Sequence, residues 1–154
     1  MAEGNGGAPQ LEALAQYVKD LSFENPNAPR SLGPQETPPN ISIQVNVNAK
    51  PMMAGEYEIE LILEGKAGEG EGLLFNFELN FAGVFRLANI PENHVHQVLM
   101  IECPRLMFPF ARSVLANAVR DGGFPPFLLQ PIDFAQLYQA RMNELGQQGA
   151  PMNS

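Results

Sequence analysis

His94 and His96 stand two residues apart, with Glu102 and Cys103 a short way downstream. Imidazole, carboxylate and thiolate are the usual zinc ligands, so the group is a candidate metal site. The spacing argues against it. In a helix, residues i and i+2 point to different sides, and the two rings cannot share one ion. Surface or interface histidines and a buried free thiol are the expectation. Cys103 is also a poor nucleophile, because its apolar neighbourhood, with Ile101 and Pro104 close by, keeps a thiol protonated. Glu56, Glu58 and Glu60 alternate along one stretch and could supply an acid and a base. On the open face of a sheet they are expected to be solvated and of ordinary acidity. The glycine groups AGEGEG and RDGG form no phosphate cradle: the first carries glutamates where an anion would sit, and neither leads into a helix. No set of residues converges on a reaction. The expectation is a protein without catalytic residues, metal or cofactor, and not an enzyme.

The totals agree. A chain of 154 residues suits one domain around one core. Seventeen acidic against nine basic residues give a net charge of −8, which repels nucleic acid and anionic lipid and favours basic partners. No apolar run approaches the ~20 residues that span a bilayer, so no direct membrane insertion is expected. The opening MAEGNGGAPQ lacks the basic and apolar stretches of a secretory signal. A single cysteine excludes an internal disulfide and agrees with a reducing cytoplasm.

The elements follow from period. Residues 1–10 are small and polar and are expected to be disordered. LEALAQYVKDLSFENP reads either as helix or as strand: its first half looks helical, whereas Leu21 and Phe23 oppose Asp20, Ser22 and Glu24 as in a strand. A proline-rich connection comes next. Then Ile41, Ile43, Val45 and Val47 alternate with polar residues, as do Tyr57, Ile59, Leu61 and Leu63, and Phe75, Phe77, Leu79 and Phe81. Short turns between them predict an antiparallel sheet with one dry and one wet face. Beyond Ile90 the period turns helical. Pro109 should kink a long helix whose apolar stripe is Met107, Phe110, Val114 and Ala118, with Ala111, Leu115 and Val119 beside it. Gly122 and Gly123 end it, and a second helix opens at Asp133 with a capping box to Gln136 and runs to Gly146. The fold class is therefore α+β, a four-stranded antiparallel sheet followed by two main helices. The organisation is a single domain over 11–146, with a flexible tail at 147–154.

What remains are surfaces. The stretch RDGGFPPFLLQPIDF holds two glycines and three prolines, so neither helix nor central strand passes through it, yet it carries Phe124, Phe127, Leu128 and Leu129. It could simply lid the core, but it has more apolar area than a lid needs. Its prolines keep it rigid, which lowers the entropy lost on binding an extended peptide. The wet sheet face gathers Asp20, Glu24, Glu56, Glu58, Glu60 and Glu78. These either solubilise the sheet or dock a basic partner.

YVKDLSFENPNAP, CPRLMFPFAR and RDGGFPPFLLQPIDFAQLY resemble the SecB family of bacterial protein-export chaperones, and the likeness runs from about Tyr17 to Leu145. The resemblance implies an ATP-independent cytoplasmic chaperone, a homotetramer built as a dimer of dimers. It binds unfolded precursors of secreted proteins and hands them to the translocation ATPase SecA. It also implies that Phe124, Phe127, Leu128 and Leu129 form one wall of a peptide groove, with Ile43 and Val45 lining the other side. Asp20, Glu24 and Glu78 fall where the family meets the basic, zinc-bearing tail of SecA, and Phe77, Leu79 and Phe81 where it places a subunit contact. Asn76 departs from the pattern, since an apolar residue is usual there. Two rivals from other classes are a carrier enclosing a small, lipid-like ligand and a purely structural oligomer.

Overall fold

The computed structural model describes residues 7–149. Four strands, β1 (Gln10–Glu24), β2 (Ile41–Pro51), β3 (Glu56–Ala67) and β4 (Phe75–Ala88), form one antiparallel sheet in the order β1-β4-β3-β2. Three helical pieces follow: α1 (Glu92–Gln97), a π turn over Val98–Glu102 that leads directly into α2 (Cys103–Asp121), and α3 (Phe134–Gly149). Strands first and helices second give the expected α+β order.

Alternation settles which face is which. Leu61 lies opposite Phe81 and Val47, and Leu63 opposite Leu79 and Val45, so these residues share the helix side. Ile59, Leu61, Leu63, Leu79, Phe85, Met107, Leu115 and Val119 are fully buried between the layers. On α2 the buried positions are Cys103, Pro104, Met107, Phe108, Ala111, Leu115, Ala116 and Val119, which follow an i, i+3/i+4 stripe. Phe110, expected in that stripe, is 55% exposed and faces away from the core.

The first strand resolves an ambiguity. Register slips at Leu14 and Lys19 place Leu11, Ala13, Gln16, Val18, Leu21 and Phe23 opposite helix-side residues of β4. A mean spacing between two and three fits neither a strand nor a helix, because each bulge inserts one unpaired residue. The long helix departs from α geometry at the π turn, while α2 runs unbroken through Pro109. Pro104 lacks the N–H that would reach the carbonyl of Met100, and the extra residue of a π turn absorbs such a mismatch. Asp133 caps α3, accepting the Gln136 backbone N–H at 3.0 Å. That helix continues to Gly149, three residues past its expected end at Gly146. Likewise β1 begins at Gln10, inside the stretch expected to be disordered, and residues 1–6 lie outside the described part.

Candidate functional site

The end of α2 builds one wall of a trough. Phe124 N–H bonds the Val119 carbonyl at 3.2 Å and Gly123 N–H bonds that of Arg120 at 3.0 Å. This six-to-one and five-to-two pair requires a left-handed residue, and Gly123 supplies it at φ 101°. The reversal lays Phe124 back on the sheet, its ring 5.0 Å from that of Phe75, which in turn stacks on Phe23 at 5.5 Å. Pro125 and Pro126 then hold the chain extended. Phe127 is half-buried, Leu128 is 61% exposed, and Leu129 turns inward at 6%. The loop is thus pinned at both ends by Phe124 and Leu129 and presents apolar surface between them.

Opposite this wall runs the proline-rich connection after β1. Leu32, Pro34, Pro39 and Ile41 face Phe124, Pro125, Pro126 and Phe127 across a hollow of about 600 Å³, floored by Ala67, Leu74 and Phe75. A side chain there meets aromatic rings and prolines, with almost no charge. Such a surface can hold an apolar, extended segment of no fixed sequence.

Several residues sit elsewhere than expected. Ile43 packs partly buried against the core, and Val45 lies beneath α3 beside a cavity of about 30 Å³, so neither lines this hollow. Leu129 belongs to the core rather than to the groove lining. Phe77, Leu79 and Phe81 are 3%, 0% and 5% exposed, so their side chains lie in the subunit's own core and not on its surface. Alternation put them on the dry face, and the helices of the same chain cover that face. The second wall went unread, although NPNAPRSLGPQETPPN has the same mix of prolines and isolated apolar residues as the first.

The outer sheet face carries a second hollow, also about 600 Å³, lined by Ser22, Glu24, Ser42, Gln44, Glu64, Lys66, Asn76 and Glu78 among others. Asp20, Glu24 and Glu78 lie on this one face, opposite Asn80, Asn76 and Ser22 on the neighbouring strand. Glu64 stands directly across from Glu78, a like-charge pair that repels. Among the described residues none of these four carboxylates has an ion-pair partner.

Nearer the middle of the same face the glutamates are not solvated as expected. Tyr17 donates its hydroxyl to Glu58, and Lys19 reaches Glu58 at 3.0 Å and Glu60 at 2.9 Å. Asn80 also donates to Glu60, which is only 6% exposed. The Tyr17 hydroxyl and then the Lys19 ammonium hold the pKa of the Glu58 carboxyl below its ordinary value, and Lys19 does the same for Glu60. The Lys19 bulge makes this possible by freeing its side chain to cross β4, where only Ala82 stands opposite Tyr17. A bulge has no composition signature, so the sequence concealed it. Cys103 is fully buried, and desolvation pushes its thiol up to about 12, which agrees with an inert residue. His96 bonds the Tyr138 hydroxyl at 3.0 Å, and among the described residues no three His, Cys, Asp or Glu side chains come together to hold a metal ion.

Residues 4–145 match the family described as SecB, preprotein translocase subunit SecB. The chain belongs to the SecB family. Its relatives include the protein-export protein SecB of Beijerinckia indica, 56% identical over 160 aligned positions that cover all of both chains. That of Methylocella silvestris is 58% identical over 94% of each chain. A SecB-like chaperone of Mycobacterium tuberculosis, solved in complex with a peptide from an antitoxin, aligns with a TM-score of 0.63. It covers 79% of this chain and 90% of its own at 9% identity, a likeness of fold alone. Membership makes this SecB-family chain a protein-export chaperone. No helix among the described residues is long and apolar enough to cross a membrane.

Proposed function

We propose that the trough between the 31–41 connection and the 123–127 loop grips apolar segments of unfolded precursor proteins, while the acidic outer face docks SecA. The observation that carries this reading is the hollow itself: apolar, walled by prolines, open at the surface, and flanked by Phe127 and Leu128. A folded protein hides its apolar segments, so a shallow trough has nothing to hold. An unfolded chain offers many, and linked weak sites gain ~10²–10⁴ in avidity. Nothing in this grip uses ATP. The chain acts in the cytoplasm, where precursors await export.

Several linked sites require an oligomer. β1 is an edge strand whose helix-side residues Val18 and Leu21 are 45% and 42% exposed, and α2 turns Leu106 and Phe110 outward. A second copy covers these residues in a dimer of dimers. Four chains carry four times −8, or −32, which keeps a sticky assembly dissolved and attracts basic segments. The carrier reading finds less support: the cavity under α3 holds about 30 Å³, room for only a few waters. The larger hollow of about 650 Å³ between β2, α1 and α3 is lined by Lys50, Glu92, His96 and Arg141, which do not suit a lipid-like ligand.

Phe127→Ser tests the grip, because Phe127 is half-buried and flanked by prolines, whereas Phe124 also supports Phe75. Losing that contact should weaken binding of a denatured precursor about tenfold, equivalent to roughly 1.4 kcal/mol of the ~1.5–3 kcal/mol that a buried Phe contributes. Suppression of aggregation without ATP should fall in parallel while the unfolding midpoint holds. Unchanged affinity for the denatured chain contradicts the assignment.

A further inference from the structure

Where the trough closes, its two walls touch and are tied. Leu32 of one wall packs so tightly on Gly123 of the other that an added Cβ would stand 2.8 Å from its Cδ2. Gly122 is tighter still, with a Cβ falling 2.3 Å from the Phe23 ring. At this point Asn25 donates its amide to the Gly122 carbonyl at 3.0 Å. The same side chain accepts the Ser31 hydroxyl at 2.6 Å, and Ser31 is 6% exposed. Asn27 donates to the Leu73 carbonyl at 2.9 Å, fastening the first wall to the floor hairpin, while Ser31 N–H bonds the Asn27 carbonyl. Among the described residues no other hydrogen bond joins the 31–41 wall, or the Asn25–Asn27 turn that leads into it, to the 122–127 segment. Beyond the tie both walls run on as proline-rich arms, Pro34 to Pro39 and Pro125 to Pro126.

We infer that Asn25, oriented by Ser31, is a clasp that sets the width of the trough and so selects the size of client side chain it accepts. The far ends of the arms are held, by buried Leu129 and by Ile41 in β2, and the arms hydrogen-bond each other only at this tie, so it sets how far apart they stand beside it. A half-buried polar tie has one good geometry and fixes the spacing of the arms, whereas apolar contact alone leaves it loose. Asn25 does not line the hollow, and Ser31, which does, is only 6% exposed, so both act here as positioning residues. The inference rests on the trough being the client site.

The experiment compares two unstructured peptides identical except for one central residue, Trp or Val, bound to the full-length protein. Asn25→Asp keeps the acceptor for Ser31 and removes the donor to Gly122. Ser31→Ala frees Asn25 while leaving its donor in place, and serves if the first variant does not fold. Spread walls lose contact with the small side chain first, so the Val peptide should lose at least threefold more affinity than the Trp peptide. Spin labels on cysteines introduced at Glu36 and Leu128 should report a longer or broader distance in the same variants; buried Cys103 stays unlabelled. Equal losses for both peptides, or an unchanged distance, overturn the clasp. If Phe127→Ser binds both peptides as the parent does, the trough reading falls and takes the clasp with it; if only Phe127→Ser weakens both, the trough stands and the clasp alone fails.

Discussion

Two hollows of nearly equal volume, about 600 Å³ each, lie on opposite sides of one sheet and share almost no chemistry. The trough is made by two irregular segments far apart in sequence, with prolines for stiffness and aromatic rings for surface. The acidic hollow is made by neighbouring strands, whose alternation alone puts Glu24, Glu64 and Glu78 on one side. β1 serves both. Phe23 points to the aromatic stack beneath the trough, and Glu24 next to it points to the acidic face. The difference teaches that one sheet can carry an apolar hollow on one side and an acidic one on the other, because period two separates the two chemistries at every step.

The sharpest way to break that separation is charge reversal. Asp20→Lys, Glu24→Lys and Glu78→Lys together should weaken binding of a basic SecA tail by at least about 100-fold, since like charges brought together cost several kcal/mol. Affinity for a denatured precursor should change less than about twofold. Loss of both in a calorimetric titration of each ligand would mean that the surfaces are one.

Salt gives a milder version of the same contrast. Going from 0.1 to 1 M shortens the screening length from ~10 to ~3 Å. Tail binding should drop about tenfold, while client binding holds or rises slightly. A client affinity that falls in step with the tail's would put charge, not burial, in the trough.

The smallest effect concerns the frame of the acidic face. Glu58 and Glu60 titrate below their ordinary value of 4.5 in the folded chain, so they add stability that is present above that value and lost as pH falls through the folded-state values. Lys19→Met removes their shared cation. The variant should be less stable at pH 7 by denaturant unfolding, and its further loss between pH 5 and pH 3 should be shallower than the parent's. Parallel acid profiles would show that Lys19 does not hold these carboxylates.

Much of this was legible in the chain. Clean alternation in ISIQVNVNA and EYEIELILE is what a strand with one dry face needs, and Gly122, Gly123 and Asp133 mark helix ends by chemistry that only such ends use. That Asp20, Glu24 and Glu78 share one wet face follows from the same alternation. Other features were hidden for physical reasons. Two bulges blurred β1, since an unpaired residue shifts the period without altering composition. The subunit-contact reading of Phe77, Leu79 and Phe81 could not foresee that this chain's own helices bury them. The second trough wall depends on Asn25 and Asn27 fastening a segment to residues 97 and 46 positions away, a distance no local pattern encodes.

The most direct measurement places a photocrosslinking residue at exposed Leu128 or at Gln44 on the acidic hollow, one at a time, in the otherwise unchanged protein. A denatured precursor should crosslink from Leu128 and not from Gln44, and a basic SecA tail peptide should do the reverse. Precursor captured mainly at Gln44, or equally at both positions, would contradict the assignment of the trough as the site that holds unfolded chains.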